Sequence, residues 1–344
     1  MKAKLKSKLD LEKHIPLQDV IPLQIPFLLY IDPSSACNFR CLFCPSGHKD
    51  MINKSGYPRS IMSLDLFNKV IRDLSEFEQP IKVLRMNKIG EPFLNKNLSK
   101  MVACAKKSGS VERIDLATNG SLFSHECLSQ LLEAGLDRLN ISVEGMNREQ
   151  YLKYARFDFD FDRFVENVQW LYANKGDCEV IIKIPSNYIT EDQKKEFLDT
   201  FGDYCDRIFI EDITPIWPLF DIEAHSGIRI EKTEGQYKQS LQQKDTCSYI
   251  FYSAVVNADG SVSACCPDWE QKLIVGDVRV ESLKSIWHSS KMNTLRRQHL
   301  EGKRCDNHIC SNCGHLRYCQ VDNIDPYRDI LLQKFIGYET ECLL

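Results

Sequence analysis

The chain has 344 residues, 43% hydrophobic and 27% charged, which is the composition of an ordinary folded protein and excludes a disordered one. A formal net charge of −4 excludes a nucleic-acid partner held by a broad basic face. Residues 1–25 form an N-terminal leader whose first part, MKAKLKSKLDLEKH, reads as solvated and poorly ordered. The apolar stretch that follows is broken by Pro16, Pro22 and Pro26, so no membrane-spanning helix is expected there. No signal peptide is evident, and a cytoplasmic location is expected.

Six short apolar runs then alternate with helix-period segments. The runs are FLLYID (27–32), IKVLRM (81–86), RIDLAT (113–118), RLNISV (138–143), EVIIKI (179–184) and RIFIED (207–212). Gly135 has the position of a glycine just past a helix C-terminus, and Thr190 with Gln193 forms a capping-box pattern. This alternation predicts an α/β fold, a partial (β/α)6 TIM-like barrel over residues 26–218. A linker (219–239) and a small cysteine-rich C-terminal domain (240–344) follow. In parallel α/β sheets, ligands gather at the strand C-termini.

Fifteen cysteines in a reducing compartment are not a disulfide framework. Cys104, Cys127, Cys178 and Cys205 stand singly in apolar-periodic segments and read as free thiols. The other eleven are clustered, which points to metal. Cys37, Cys41 and Cys44 fall within eight residues directly after the first strand, spaced C-x3-C-x2-C. Three thiolates on one loop can hold a 4Fe–4S cube and leave one iron free. A zinc site with His48 as fourth ligand is the competing reading.

This loop, with Phe43 before its last cysteine, resembles the cluster loop of the radical S-adenosylmethionine superfamily. Gly90, Glu91 and Pro92 after the second strand resemble the family's GGEP motif, with Ile89 in place of the first glycine. Thr118, Asn119 and Gly120 close the third strand, and Ser142 and Glu144 lie in ISVEG, which is similar to the family's ISIDG. The resemblance implies that Cys37, Cys41 and Cys44 ligate a 4Fe–4S cluster whose free iron chelates S-adenosylmethionine. It implies cofactor-binding roles for Phe43, Gly90, Glu91, Pro92, Thr118, Asn119, Ser142 and Glu144. One electron then cleaves the cofactor to methionine and a 5′-deoxyadenosyl radical, which abstracts hydrogen from substrate. A reducing partner such as flavodoxin or ferredoxin is implied.

The C-terminal cysteines resemble the SPASM module that follows many radical enzymes. Its two-cluster form has a further cysteine where Asn323 stands here. Cys247, Cys265, Cys310 and Cys313 match the single-cluster form and are the implied ligands of one auxiliary 4Fe–4S cluster. Cys266, Cys305, Cys319 and Cys342 are left for a second. The set Cys310, Cys313, Cys319 and Cys342 is an alternative, and zinc with His308 or His315 another. The expected reaction is dehydrogenation of a sugar or cyclitol alcohol, the single-cluster module and the short N-terminal segment favouring a small molecule. A maturase acting on a peptide or protein is the alternative. Asp158, Asp160, Glu211, Asp212 and His225 are candidate acid–base groups, none of them assigned.

Overall fold

The computed structural model describes residues 1–7, 9, 14–230 and 233–342, the side chains of 338–342 aside. Its ten strands are β1 (Lys4–Leu5), β2 (Leu28–Ile31), β3 (Val83–Arg85), β4 (Ile114–Thr118), β5 (Arg138–Ser142), β6 (Glu179–Pro185), β7 (Arg207–Glu211), β8 (Ser253–Val256), β9 (Ser261–Ser263) and β10 (Ile274–Asp277). They form one sheet in the order β1-β7-β6-β5-β4-β3-β2-β8-β9-β10. The six apolar runs are β2 to β7, each parallel to the next. The expected partial barrel is therefore present, and the sheet continues past both its edges.

Alternation along each strand builds the barrel. Leu29, Ile31, Leu84, Leu116, Leu139, Ile141, Val180, Ile182 and Ile208 are buried in the main core. Their neighbours Tyr30, Arg85, Ala117, Asn140, Lys183 and Phe209 line a central cavity instead. The covering helices bury matching stripes, such as Phe67, Val70 and Ile71 on helix Leu64–Asp73, each contributing roughly 1.5–3 kcal/mol. Ser63, Ser124, Asp160 and Thr190 cap four of these helices, Thr190 and Gln193 through the expected capping box. Gly135 has φ +89°, as a residue just past a helix end requires.

Two expectations change. The start of the leader is tied down: β1 pairs in parallel with β7, and the amides of Lys2 and Ala3 donate to the Gly202 carbonyl at 3.0 and 2.8 Å. Leu17 and Ile21 enter the core, and Trp287 of the C-terminal region donates Nε1–H to the Leu23 carbonyl at 2.9 Å. A basic segment reads as solvated, but pairing satisfies β7's otherwise open edge. The C-terminal region also shares the barrel's sheet, since β8 runs parallel to β2 with Leu28 opposite Ser253. Among the described residues, no helix is long and apolar enough to cross a membrane.

Candidate active site

The strand C-termini open into a cavity of about 440 Å³. Its lining includes Cys37, Cys41, Phe43, Cys44, Gly90, Glu91, Thr118, Asn119, Ser142 and Glu144. Of the residues expected at the first site, Pro92 alone is elsewhere. It opens a short 3-10 turn, Pro92–Leu94, and is buried behind the loop.

The cysteine loop is held from both sides. The Arg40 and Leu42 amides donate to the carbonyls of Ala155 and Tyr154 at 2.8 and 3.0 Å. A Cβ on Gly47 would lie 2.3 Å from the Cys41 carbonyl oxygen, so only glycine lets the chain fold back on itself here. Burial, then the Glu91 carboxyl at Cys37 and the Glu144 carboxyl at Cys41, with the neighbouring thiols, raises both above the usual thiol range; burial raises Cys44. Thiols in such surroundings ionise readily only if a cationic centre joins them. His48 does not complete this set. Its Nε2 lies 2.9 Å from the Leu42 carbonyl, and its ring packs against Phe220 and His225.

The β3 and β4 loops lock together over this site. Gly90 passes so close to the cysteine loop that a Cβ would fall 1.7 Å from the Ser34 carbonyl oxygen. Ile89, the non-glycine member of the motif, lines the cavity and also packs with Ile52, Tyr57 and Trp269. Glu91 accepts from the Phe93 amide (3.1 Å), the Thr118 hydroxyl (2.7 Å) and the Asn119 amide (2.8 Å). Burial pushes its carboxyl up to about 7, against the pull of those bonds. Asn119 Nδ2 in turn donates to Asn38 Oδ1 at 3.0 Å, beside Cys37.

A polar ring that the motifs do not contain completes the cavity. Tyr30, Arg85, Asn140 and Lys183 face inward from β2, β3, β5 and β6, and Gln236 and Tyr237 from the linker. Arg85 donates to Tyr30 Oη at 3.0 Å and to Asp115 at 3.1 Å. Burial works against the Asp115 carboxylate, yet Arg85, Arg113 and Arg138 together hold it below its usual range. Lys183 pairs with Glu211, whose Oε2 accepts from Gln236 at 3.3 Å. Glu144 Oε2 is buried without a partner, and burial pushes that carboxyl up to about 8. A polar residue interrupting an apolar strand run was the readable signal for Tyr30, Arg85, Asn140 and Lys183. The linker carried none.

Of the five acid–base candidates, Glu211 alone lines the cavity. Asp158 pairs with Arg148 at the surface, Asp160 caps helix Phe161–Asn174, and Asp212 engages Ser186 and Lys238. His225 stacks on Phe220.

A second, smaller cavity is lined by Cys247, Cys265, Cys310 and Cys313, with His299, Arg304 and His315. Tyr249, Pro267 and His315 line both cavities and form the wall between them. Cys266 and Cys319 face the first cavity instead, Cys305 is exposed, and the Cys342 side chain lies outside the described residues. Cys178 and Cys205 are buried free thiols; Cys104 and Cys127 are free and half-buried. Among the described residues, no three Cys, His, Asp or Glu side chains close on a single metal ion. A 4Fe–4S cube presents its irons at separate corners and takes one thiolate at each.

A family model described as the Radical SAM superfamily matches residues 31–200, and one described as the SPASM iron-sulfur cluster-binding domain matches 247–314. The chain is 33% identical to the tungsten-containing aldehyde ferredoxin oxidoreductase cofactor-modifying protein of Pyrococcus furiosus, over 78% of this chain and 82% of that protein. It is 20% identical to the S-adenosyl-L-methionine-dependent 2-deoxy-scyllo-inosamine dehydrogenase of Niallia circulans, over 84% and 93%. It is 26% identical to the GTP 3′,8-cyclase of Clostridium perfringens, over 58% of each chain. Among solved structures, BtrN in complex with AdoMet and 2-DOIA aligns with TM-score 0.53 and 19% identity, over 84% of this chain and 93% of that one. Streptococcus suis SuiB bound to S-adenosylmethionine aligns with TM-score 0.60 and 12% identity, over 90% and 76%. At these identities the structural likenesses establish the fold.

Proposed function

We propose, since the chain belongs to the radical SAM superfamily, that it oxidises an alcohol of a small polyhydroxylated substrate, a sugar or cyclitol. The chain is an enzyme that binds a 4Fe–4S cluster and S-adenosylmethionine, with auxiliary iron–sulfur in its C-terminal domain. In this reading Cys37, Cys41 and Cys44 hold the first cluster, and Cys247, Cys265, Cys310 and Cys313 hold one auxiliary cluster. Phe43, Gly90, Glu91, Thr118, Asn119, Ser142 and Glu144 contact S-adenosylmethionine.

The carrying observation is the shared wall. Four thiols line one small cavity, and Tyr249, Pro267 and His315 line both it and the polar cavity. When bound, the two clusters and S-adenosylmethionine supply hydrogen-atom abstraction and a sink for one electron. The remaining loss in forming a carbonyl from an alcohol is the hydroxyl proton. Glu211 is placed to take it at Oε2, the oxygen that Lys183 does not engage. Tyr30, Gln236 and Tyr237 line the same cavity and offer hydrogen bonds to a polyol. The named activity of the Niallia circulans relative supports this reading.

Modification of a peptide is the second reading, favoured by the likeness to SuiB, one of whose structures is bound to the precursor peptide SuiA. The test is deuterium transfer. Reconstituted, dithionite-reduced enzyme is offered ring-deuterated sugars and cyclitols, and separately peptide libraries. Deuterium in 5′-deoxyadenosine together with a ketone product supports the proposal. Transfer from peptides alone overturns it in favour of the second reading.

A further inference from the structure

A third pocket, of about 60 Å³, opens on the outer side of the cysteine loop. It is lined by Ser35, Ala36, Cys37, Ser46 and Ile52 together with three cations, Arg40, Lys49 and Arg59. All three are exposed, on a chain whose net charge is −4. Among the described residues none of the three has an ion pair or a side-chain hydrogen bond. The pocket lining contains no acidic residue, although Asp50 is exposed beside Lys49. Cys37 and Ser46 line this pocket and the central cavity alike. These two residues are thus common to the outer pocket and the cysteine site.

We propose that Arg40, Lys49 and Arg59 form the docking rim for an acidic one-electron carrier protein, whose redox group is brought over Cys37. The inference rests on the assignment of Cys37 to the first cluster. Three uncompensated cations around one opening create a local positive field that attracts and orients an acidic surface. Their placement matters as much as their sign, because electron transfer falls steeply with distance and Cys37 lines the same pocket. The rim sits on the short stretch 40–59, which the Ala155 and Tyr154 carbonyls anchor at Arg40 and Leu42. A partner bound there meets a fixed loop.

The test compares two reductants on the reconstituted enzyme. In Arg40→Glu, Lys49→Glu and Arg59→Glu, alone and combined, 5′-deoxyadenosine formation is driven either by an acidic flavodoxin or by dithionite. Flavodoxin binding is measured in parallel at low and high salt. The triple variant is expected to lose about tenfold or more of the flavodoxin-driven rate while keeping the dithionite-driven rate within about twofold. Wild-type binding weakens with salt, and the variant's binding does not. Equal loss with both reductants, unchanged flavodoxin-driven rates, or salt-independent wild-type binding overturns the proposal. Arg40→Gln, Lys49→Gln and Arg59→Gln repeat the test if charge reversal impairs folding. Wrong assignment of Cys37 gives a separable result, namely a Cys37→Ala variant that still makes 5′-deoxyadenosine with dithionite.

Discussion

Asn119 and Glu91 join two loops through one short bond, the Asn119 amide donating to Glu91 Oε2 at 2.8 Å. The Thr118 hydroxyl donates to the other carboxyl oxygen at 2.7 Å. Both oxygens thus serve as acceptors in a buried setting, and glutamine in place of Glu91 sets an amide NH2 against a donor. Glu91→Gln is expected to cost about 1–3 kcal/mol in chemical denaturation and to weaken S-adenosylmethionine binding measured by calorimetry. A variant with wild-type stability and affinity would show that the clamp is dispensable.

Neighbouring residues in the same loop should separate by readout. Gly90 has no room for a Cβ, because the Ser34 and Ala36 carbonyl oxygens would lie 1.7 and 2.7 Å from it. Gly90→Ala must therefore displace the β3 loop, with loss of S-adenosylmethionine binding. Ile89 packs with Ile52, Tyr57 and Trp269. Ile89→Ala should lower unfolding free energy by about 2–5 kcal/mol while cofactor binding persists. The two effects are read by calorimetric titration and urea unfolding, and reversed outcomes would exchange the roles assigned to the two residues.

The barrel was legible because its strands carry an uninterrupted apolar face toward the helices, and β2 to β7 fall on the six apolar runs. Residues on fixed loops were legible too, since Cys37, Glu91, Asn119 and Glu144 sit at strand ends that topology alone brings together. Tyr237 was not. It reaches the cavity from a segment without periodicity, placed by backbone bonds such as that from the Gln236 amide to the Tyr318 carbonyl (2.9 Å), which join positions 82 residues apart. Nor was β1, because two residues gain strand geometry only from the open edge of β7. Pro92, expected from the motif beside Glu91, does not line the cavity, and its ring fixes the turn that follows.

The C-terminal cysteines divide by the cavity they face, and iron content should follow that division. Cys247, Cys265, Cys310 and Cys313 share one cavity, whereas Cys266 and Cys319 look into the other. Reconstituted enzyme with two clusters should hold ~8 irons per chain, falling to ~4 when Cys310 or Cys313 is replaced by Ala. Cys266→Ala and Cys319→Ala should retain the full count. Loss of about half the iron in Cys319→Ala would move the auxiliary site to the alternative set.

Asp32 supplies a pH dependence away from either cysteine group. It is fully buried, its Oδ1 has no partner, and Tyr57 donates to Oδ2 only at 3.4 Å. Burial pushes its carboxyl up to about 6, with Lys88 partly offsetting the rise. The unfolded chain titrates this group near ~3.9, so between about pH 4 and 6 the folded state holds the extra proton. Stability must then fall as pH rises through that window, and the deficit stays constant above it. Two pH units correspond to roughly 2–3 kcal/mol. Asp32→Asn removes the titrating group but keeps its shape. Urea unfolding of the metal-free protein at pH 4 and pH 8 should show a smaller loss in the variant, by about 2 kcal/mol. Parallel stability curves for the two proteins would mean that Asp32 is already relieved, by Lys88 or by solvent, in the folded state.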